Sequence, residues 1–149
     1  MELSKKRCDY EKYVERFYTF LDERNLSRTM ERNDILRIVF KFNKHFTISE
    51  LDKKLKEHKC RVSKSALYST IEILKDAGMV LKHHLPWSAT PIYEKFYDTD
   101  AHSHIYVENT EEVIEFYNPQ IDDIKREVAE SFSLDVINHT LTLYCRKRK

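Results

Sequence analysis

The sequence predicts an α+β protein, a winged helix-turn-helix followed by a small α+β module. Three observations predict it. Apolar residues recur at helical spacing in successive stretches of the first half. Two β-like runs, "MVLKHHL" and "IYEKFY", then flank "PWSATP", which reads as a hairpin bracketed by Pro86 and Pro91. Charge also divides the chain: residues 1–84 hold 19 Lys+Arg against 13 Asp+Glu, and residues 85–149 hold 7 against 12. A basic half beside an acidic half implies two modules, the first facing a polyanion. The winged-helix domain is expected over 1–85, with its wing continuing to about 97, and the second module over 98–149.

Each element follows from local pattern. In "DYEKYVERFYTFLDER", residues 9–24, Tyr10, Tyr13, Val14, Phe17, Phe20 and Leu21 form one stripe of an amphipathic helix. A second helix is expected from about 30 to 43, with Thr29 as N-cap and Ile35, Ile38, Val39 and Phe42 as its buried positions. Thr47 and Glu50 in "TISELDKKLKEH" have capping-box form, with Leu51 and Leu55 facing inward. "VSKSALYSTIEILKDAG" opens on a capping Ser63 and closes at Gly78, the only glycine of the chain, where a helix C′ position favours left-handed backbone. The second module reads as strands at about 103–108 and 112–117, a helix at about 119–132 with Pro119 in its first turn, and a strand over 134–144.

Composition sets limits. With 149 residues and 41% hydrophobic content the chain is expected to fold around a real core. No apolar run approaches the ~20 residues of a membrane span. No apolar run follows the basic N-terminus, so a cytoplasmic protein is expected, without membrane partners. Cys8, Cys60 and Cys145 are odd in number, far apart and without a CxxC pair, which supports neither a disulfide framework nor a cysteine zinc knuckle. The tail "RKRK" could touch DNA or be solvated and disordered, and the latter is expected.

The fourth helix has the form of a recognition helix. If Leu67, Ile71 and Leu74 face the core, then Lys64, Ser65, Tyr68, Ser69 and Glu72 lie on the opposite face, as a major-groove reader requires. Lys64 suits phosphate, and Ser65 and Ser69 suit phosphate or base edges. Tyr68 adds a flat ring and a hydroxyl. Glu72 would repel phosphate, or accept a hydrogen bond from cytosine. The same spacing also describes an ordinary amphipathic helix.

In "DAHSHIYVENTEEVIEF", His102 and His104 stand at i and i+2, and so on one side of a strand. Glu115 follows in the next strand-like run, Glu94 lies in the wing's second strand, and His45 precedes the third helix. Imidazoles with carboxylates suit Fe(II), Mn(II), Co(II), Ni(II) or Zn(II). H-x-H alone is also the pattern of two surface histidines. The adjacent His83 and His84 would point to opposite faces of a strand and read as surface or wing residues.

Taken in order, these pieces resemble the ferric uptake regulator (Fur) family of metal-responsive repressors over nearly the full chain. "RTMERNDIL" resembles the family's T-x-x-R before an apolar helix, and "HFTISEL" its H-x-(S/T)-A-x-x-L. "SALYSTIEILKDAGMV" resembles A-T-V-Y-R-x-L-x-x-L-x-x-A-G-(I/L)-V. "HSHIYVENTEEVIEF" and "NHTLTLYC" resemble H-x-H-L-x-C-x-x-C-G-x-V-x-E-F and (N/H)-H-x-L-x-L-Y-G. The resemblance implies an N-terminal winged helix-turn-helix and a small α+β dimerisation domain. It implies a homodimer on double-stranded DNA, and one divalent transition metal per chain at His45, Glu94, His102, His104 and Glu115. Fe(II) is the expected metal, with Zn(II) or Mn(II) as alternatives. The glutamates at 94 and 115 resemble the iron-type branch more than the peroxide-sensing branch, which carries aspartates there. Arg32 joins Lys64, Ser65, Tyr68 and Ser69 in the expected DNA-facing set.

The departures carry their own expectations. Val107 and Thr110 replace the family's CxxC, and the second cysteine pair is missing after Tyr144, so no structural zinc held by four cysteines is expected. Val107, Ile105, Val113 and Ile114 are expected to supply packing in its place. Ala101 and Ser103 replace ligands of an additional metal site, which leaves Asp122 and His139 without partners and that site empty or weak. Ser69 replaces the family's arginine, so operator preference is expected to shift. The implied function is metal-dependent repression, with half-sites about one helical turn, ~34 Å, apart. The alternatives are a metal-independent winged-helix regulator, a metal hydrolase for which no nucleophile or general base is identifiable, and a haem or small-molecule sensor. The chain is not expected to be an enzyme.

Overall fold

The computed structural model describes residues 2–96, 103–110, 112–136 and 139–149, with side chains from residue 9 onward. The chain divides into two compact units, Met1–His84 with Thr90–Tyr97, and Leu85–Ala89 with Asp98–Lys149. Residues 85–89, the loop between the hairpin strands, therefore group with the second unit.

The first unit comprises α1 (Glu2–Glu23), α2 (Met30–Lys41), α3 (Ile48–Glu57), α4 (Lys64–Asp76) and the antiparallel strands β1 (Val80–His83) and β2 (Ile92–Lys95). The helices start where oxygen-bearing caps put them. Thr29, Thr47 and Ser63 accept hydrogen bonds from the backbone N–H groups of Arg32, Glu50 and Ala66. Such caps contribute about 1 kcal/mol each. Tyr13, Phe17 and Leu21 of α1 lie at four-residue spacing and are fully buried. They pack into one core with Ile35, Ile38 and Val39 of α2, Leu51 and Leu55 of α3, and Leu67, Ile71 and Leu74 of α4. The Tyr13 hydroxyl donates to the Met79 carbonyl at 2.8 Å, and burial pushes its phenol above the usual tyrosine range.

The end of α4 is set by a Schellman turn. Gly78 takes φ +70°, its N–H donates to Lys75 O, and the N–H of Met79 donates to Leu74 O. A guanidinium N–H of Arg16 donates to the Ala77 carbonyl, tying α1 to this end. A Cβ at Gly78 would lie 3.4 Å from the Arg16 guanidinium, so backbone strain dominates the cost. Gly78→Ala is expected to lower stability by about 1–2 kcal/mol, read as a reduced urea midpoint with unchanged slope.

The second unit comprises β3 (Ser103–Val107), β4 (Val113–Phe116), α5 (Pro119–Ser131) and β5 (Thr142–Cys145), in a sheet of order β4-β3-β5. β3 pairs antiparallel with β4 and parallel with β5. The strand expected over 134–144 is confined to 142–145, because the N–H of Leu134 still closes the end of α5 on Ala129 O. Asn118 caps α5, with Pro119 in its first turn. No described α5 side chain is buried, and Ile124, Val128, Phe132 and Leu134 are exposed, as are Ile114 and Leu143 on the sheet.

At the positions of the absent cysteine pair, Val107 is buried and the Thr110 hydroxyl donates to Val107 O while accepting from the N–H of Glu112. Packing and turn hydrogen bonds thus hold this hairpin. Ile114, one of the expected replacements, is 42% exposed and does not share in that burial. The basic tail is also not simply solvated: Arg146 pairs with Glu108, and Lys147 with Glu112 at 3.2 Å. The N–H of Glu108 donates to Cys145 O, which brings the tail alongside the hairpin turn. Being largely exposed, these pairs contribute little stability individually. Among the described residues no helix is long and apolar enough to cross a membrane.

Candidate metal and DNA-contact residues

Backbone register brings a histidine beside a glutamate in each unit. In the first, Phe46 and Tyr93 form an antiparallel bridge in which each N–H donates to the other's carbonyl at 2.7 Å. The bridge is isolated, and His45 and Glu94 are the residues that flank it on its two segments. The bridge is held from inside: Phe46 is fully buried and Tyr93 nearly so, and the Phe46 ring stacks on Phe42 and Tyr93 with centroids 4.6 and 6.0 Å away. Glu94 also has His83 beside it, Nε2 to Oε2 3.4 Å. His83 is 8% exposed on β1, so of the surface and wing readings the structure gives it the wing. Its neighbour His84 is exposed, so the expected alternation of faces is present.

In the second unit His104 on β3 stands directly opposite Glu115 on β4. Residues opposite one another in an antiparallel pair share a face, with Cβ atoms about 4.5–5.5 Å apart. His104 is buried and Glu115 exposed. The imidazole belongs to an aromatic column: His104 stacks on Tyr106 at 6.3 Å, Tyr106 on Tyr144 at 6.1 Å, and Tyr144 meets the Trp87 ring edge-on at 5.9 Å. Packing of this kind limits ring rotation, which a ligand must otherwise give up on binding. His102 lies outside the described residues. Sequence reasoning missed the His83–Glu94 contact and the aromatic column. The i, i+2 spacing of His104 and Tyr106 was the available signal for the column.

These residues offer imidazole nitrogen and carboxylate oxygen from each unit. That donor set suits Mn(II), Fe(II), Co(II) or Zn(II). Cys60 and Cys145 are free thiols; Cys60, in the turn between α3 and α4, accepts from the Arg37 guanidinium at 3.3 Å.

On α4, Leu67, Ile71 and Leu74 are buried while Lys64, Ser65, Tyr68 and Ser69 are exposed, Tyr68 to 56%. The Ser69 hydroxyl donates to Ala66 O at 3.3 Å, and Glu72 pairs with Lys75 at 2.7 Å. The Lys75 hydrogen bond holds the Glu72 carboxyl below the usual range. The start of α4 is fixed from α2, because Glu31 Oε2 accepts from the N–H of Ser63 at 2.9 Å. Arg32 is half-buried, and its guanidinium donates to the Ser27 carbonyl.

The model of the ferric uptake regulator family matches residues 23–144. The ferric uptake regulation protein of Brucella suis is 28% identical over 121 residues, covering 81% of this chain and 84% of that protein. Its counterpart from Vibrio anguillarum is 30% identical over 125 residues, covering 83% of each. The structure of the ferric uptake regulator from Pseudomonas aeruginosa with manganese superposes with a TM-score of 0.74 at 26% identity, covering 89% of this chain and 98% of that one. With more than half its length matched, the chain belongs to the ferric uptake regulator family of metal-responsive transcriptional regulators.

Proposed function

We propose that the protein represses transcription by binding operator DNA as a homodimer when one divalent metal per chain is held by His45, Glu94, His102, His104 and Glu115. The observation that carries this reading is the pair of registers, His45 beside Glu94 and His104 opposite Glu115. His104 and Glu115 pair directly, and His45 and Glu94 flank the bridge, which supports nitrogen and oxygen donors on neighbouring segments. When bound, the metal supplies a Lewis-acid centre that these donors satisfy jointly. The family resemblance favours Fe(II) as the occupant; the nitrogen and oxygen donors suit Mn(II) or Zn(II) as well, and the Pseudomonas aeruginosa relative was solved with manganese.

The chain's own residues do the rest. His45 and Glu94 move with the DNA-binding unit through the Phe46–Tyr93 bridge. His104 and Glu115 move with the sheet. Joint ligation favours one arrangement of the units by the difference in metal affinity between arrangements. The exposed apolar side chains of α5 with Ile114 and Leu143 are the surface for a second copy, since faces of this kind rarely stay in water. Dimer geometry then sets the distance between two α4 helices, whose Lys64, Ser65, Tyr68 and Ser69 meet the major groove. Arg32 contributes its remaining donors to the backbone. Acting on DNA, the protein works in the cytoplasm, as a regulator and not as an enzyme.

The test is a Co(II) titration followed by absorption and by emission of Trp87, the only tryptophan, whose ring contacts the column that ends on His104. Saturation at one Co(II) per chain supports the reading, and absence of a saturable site refutes it. On the DNA side, Lys64→Ala is expected to weaken binding similarly across sequences and to reduce the salt slope by about 1, measured by fluorescence anisotropy at several salt concentrations.

A further inference from the structure

We propose that Asp122, His139 and Tyr117 form a second cation site in the second unit, and that its occupant is the chain's own Lys125 ammonium. Lys125 Nζ lies 2.7 Å from Asp122 Oδ1 and 3.0 Å from His139 Nδ1. The Tyr117 hydroxyl donates to the other carboxylate oxygen, Asp122 Oδ2, at 2.9 Å. An ammonium has only hydrogens to offer, so His139 Nδ1 presents its lone pair to the cation. A carboxylate oxygen and a neutral imidazole nitrogen therefore converge on one positive charge. That is the donor pair a divalent transition metal takes.

The resemblance left Asp122 and His139 without the co-ligands of a metal site; Lys125 and Tyr117 engage them instead. Asp122 is satisfied at both oxygens. The Lys125 hydrogen bond, and after it the Tyr117 hydrogen bond, hold its carboxyl below the usual range. The Lys125 and Asp122 side chains are only 27% and 22% exposed, so water does not fully screen the pair. Asp122 and Lys125 sit one turn apart on α5, a spacing that brings their heads together without distortion. His139 lies in the segment leading into β5. One ammonium thus latches α5 to the segment before β5, where a metal ion would otherwise have to be recruited.

A lysine head is a compact point charge on a flexible stem. Tethered, it is present whatever the metal supply, so this part of the fold responds to no metal. Metal sensing is then left to the donors at the His45–Glu94 and His104–Glu115 registers. The Lys125 assignment stands independently of that sensing role.

The test counts bound Co(II) per full-length chain and follows thermal unfolding with and without Co(II). Wild type, Lys125→Ala, Lys125→Arg, Asp122→Asn and the double variant Lys125→Ala/Asp122→Asn are compared. Lys125→Ala is expected to unfold at lower temperature without metal, to bind one additional Co(II), and to gain a larger Co(II)-induced rise than wild type. Lys125→Arg keeps the charge and is expected to match wild type in Co(II) count. The double variant is expected to lose the additional ion. Any response from the sensing residues is common to all five proteins and cancels in the comparison, so its absence would count against the proposed function and not against this site. Equal Co(II) counts and equal rises in wild type and Lys125→Ala would overturn the proposal. If Lys125→Ala does not fold, Asp122→Asn decides: an unchanged Co(II) count relative to wild type supports the tethered cation, and loss of one ion per chain overturns it.

Discussion

Glu115→Gln is expected to lose metal-dependent operator binding while keeping the fold. Glu115 is exposed on β4, so an isosteric neutral side chain costs little stability there. It does remove one charged oxygen donor from the face it shares with His104. Loss of an outer partner of a metal ligand already costs about 10–100-fold in metal affinity, and loss of a ligand is expected to reach at least the upper end of that range. His104→Ala should lose as much metal affinity, with a structural cost added, because His104 is 6% exposed and stacked on Tyr106. The two variants together separate ligation from packing. Co(II) affinity should fall in both, and thermal stability without metal should fall clearly only in His104→Ala. Co(II) binding by Glu115→Gln with wild-type affinity would remove Glu115 from the ligand set.

Phe46→Ala is expected to have the largest effect on stability, about 3–5 kcal/mol. Its ring is fully buried between Phe42 and Tyr93. Truncation leaves a cavity beneath the bridge that aligns residues 45 and 94. The variant should therefore lose metal affinity under conditions where most molecules remain folded. Leu21→Ala serves as the control: Leu21 is equally buried, on α1 and away from the bridge in sequence, and its loss is expected to destabilise without a matching loss of metal affinity. Chemical denaturation and Co(II) titration of both variants check this. Equal metal affinity in Phe46→Ala and wild type would show that the bridge does not position His45 and Glu94.

Much of the fold is legible because local signals agree with one another. Caps at Thr29, Thr47 and Ser63 precede apolar stripes of helical period, and the structure uses each of them. Helix ends are harder, because glycine marks only one of them. Asn25, Lys59 and Ser133 also adopt positive φ after α1, α3 and α5; asparagine is a recognised left-handed cap, whereas lysine and serine carry little such signal. The turn that closes α5 is hidden for that reason, and apolar alternation alone makes residues 134–141 look like strand.

The donor residues are legible as types in a pattern, while their arrangement is not. Nothing in the spacing of Phe46 and Tyr93, 47 positions apart, announces the bridge that His45 and Glu94 flank. Nor does spacing reveal that Lys125 reaches both Asp122 and His139, because only the return of the chain after α5 brings the imidazole to the ammonium. The burial of His83 is hidden for a related reason: alternation along a strand assigns a face, but it does not say which face a neighbouring carboxylate will cover.

The most direct test of metal-dependent repression uses the wild-type protein. A duplex is selected from a random pool by Co(II)-loaded protein, and its affinity is then measured with the metal present and after chelation. Metal-dependent repression predicts tight binding by the loaded dimer and a loss of at least tenfold on chelation, restored by one Co(II) per chain. Equal affinity in the two states would contradict it and identify a DNA-binding regulator whose signal is not a metal.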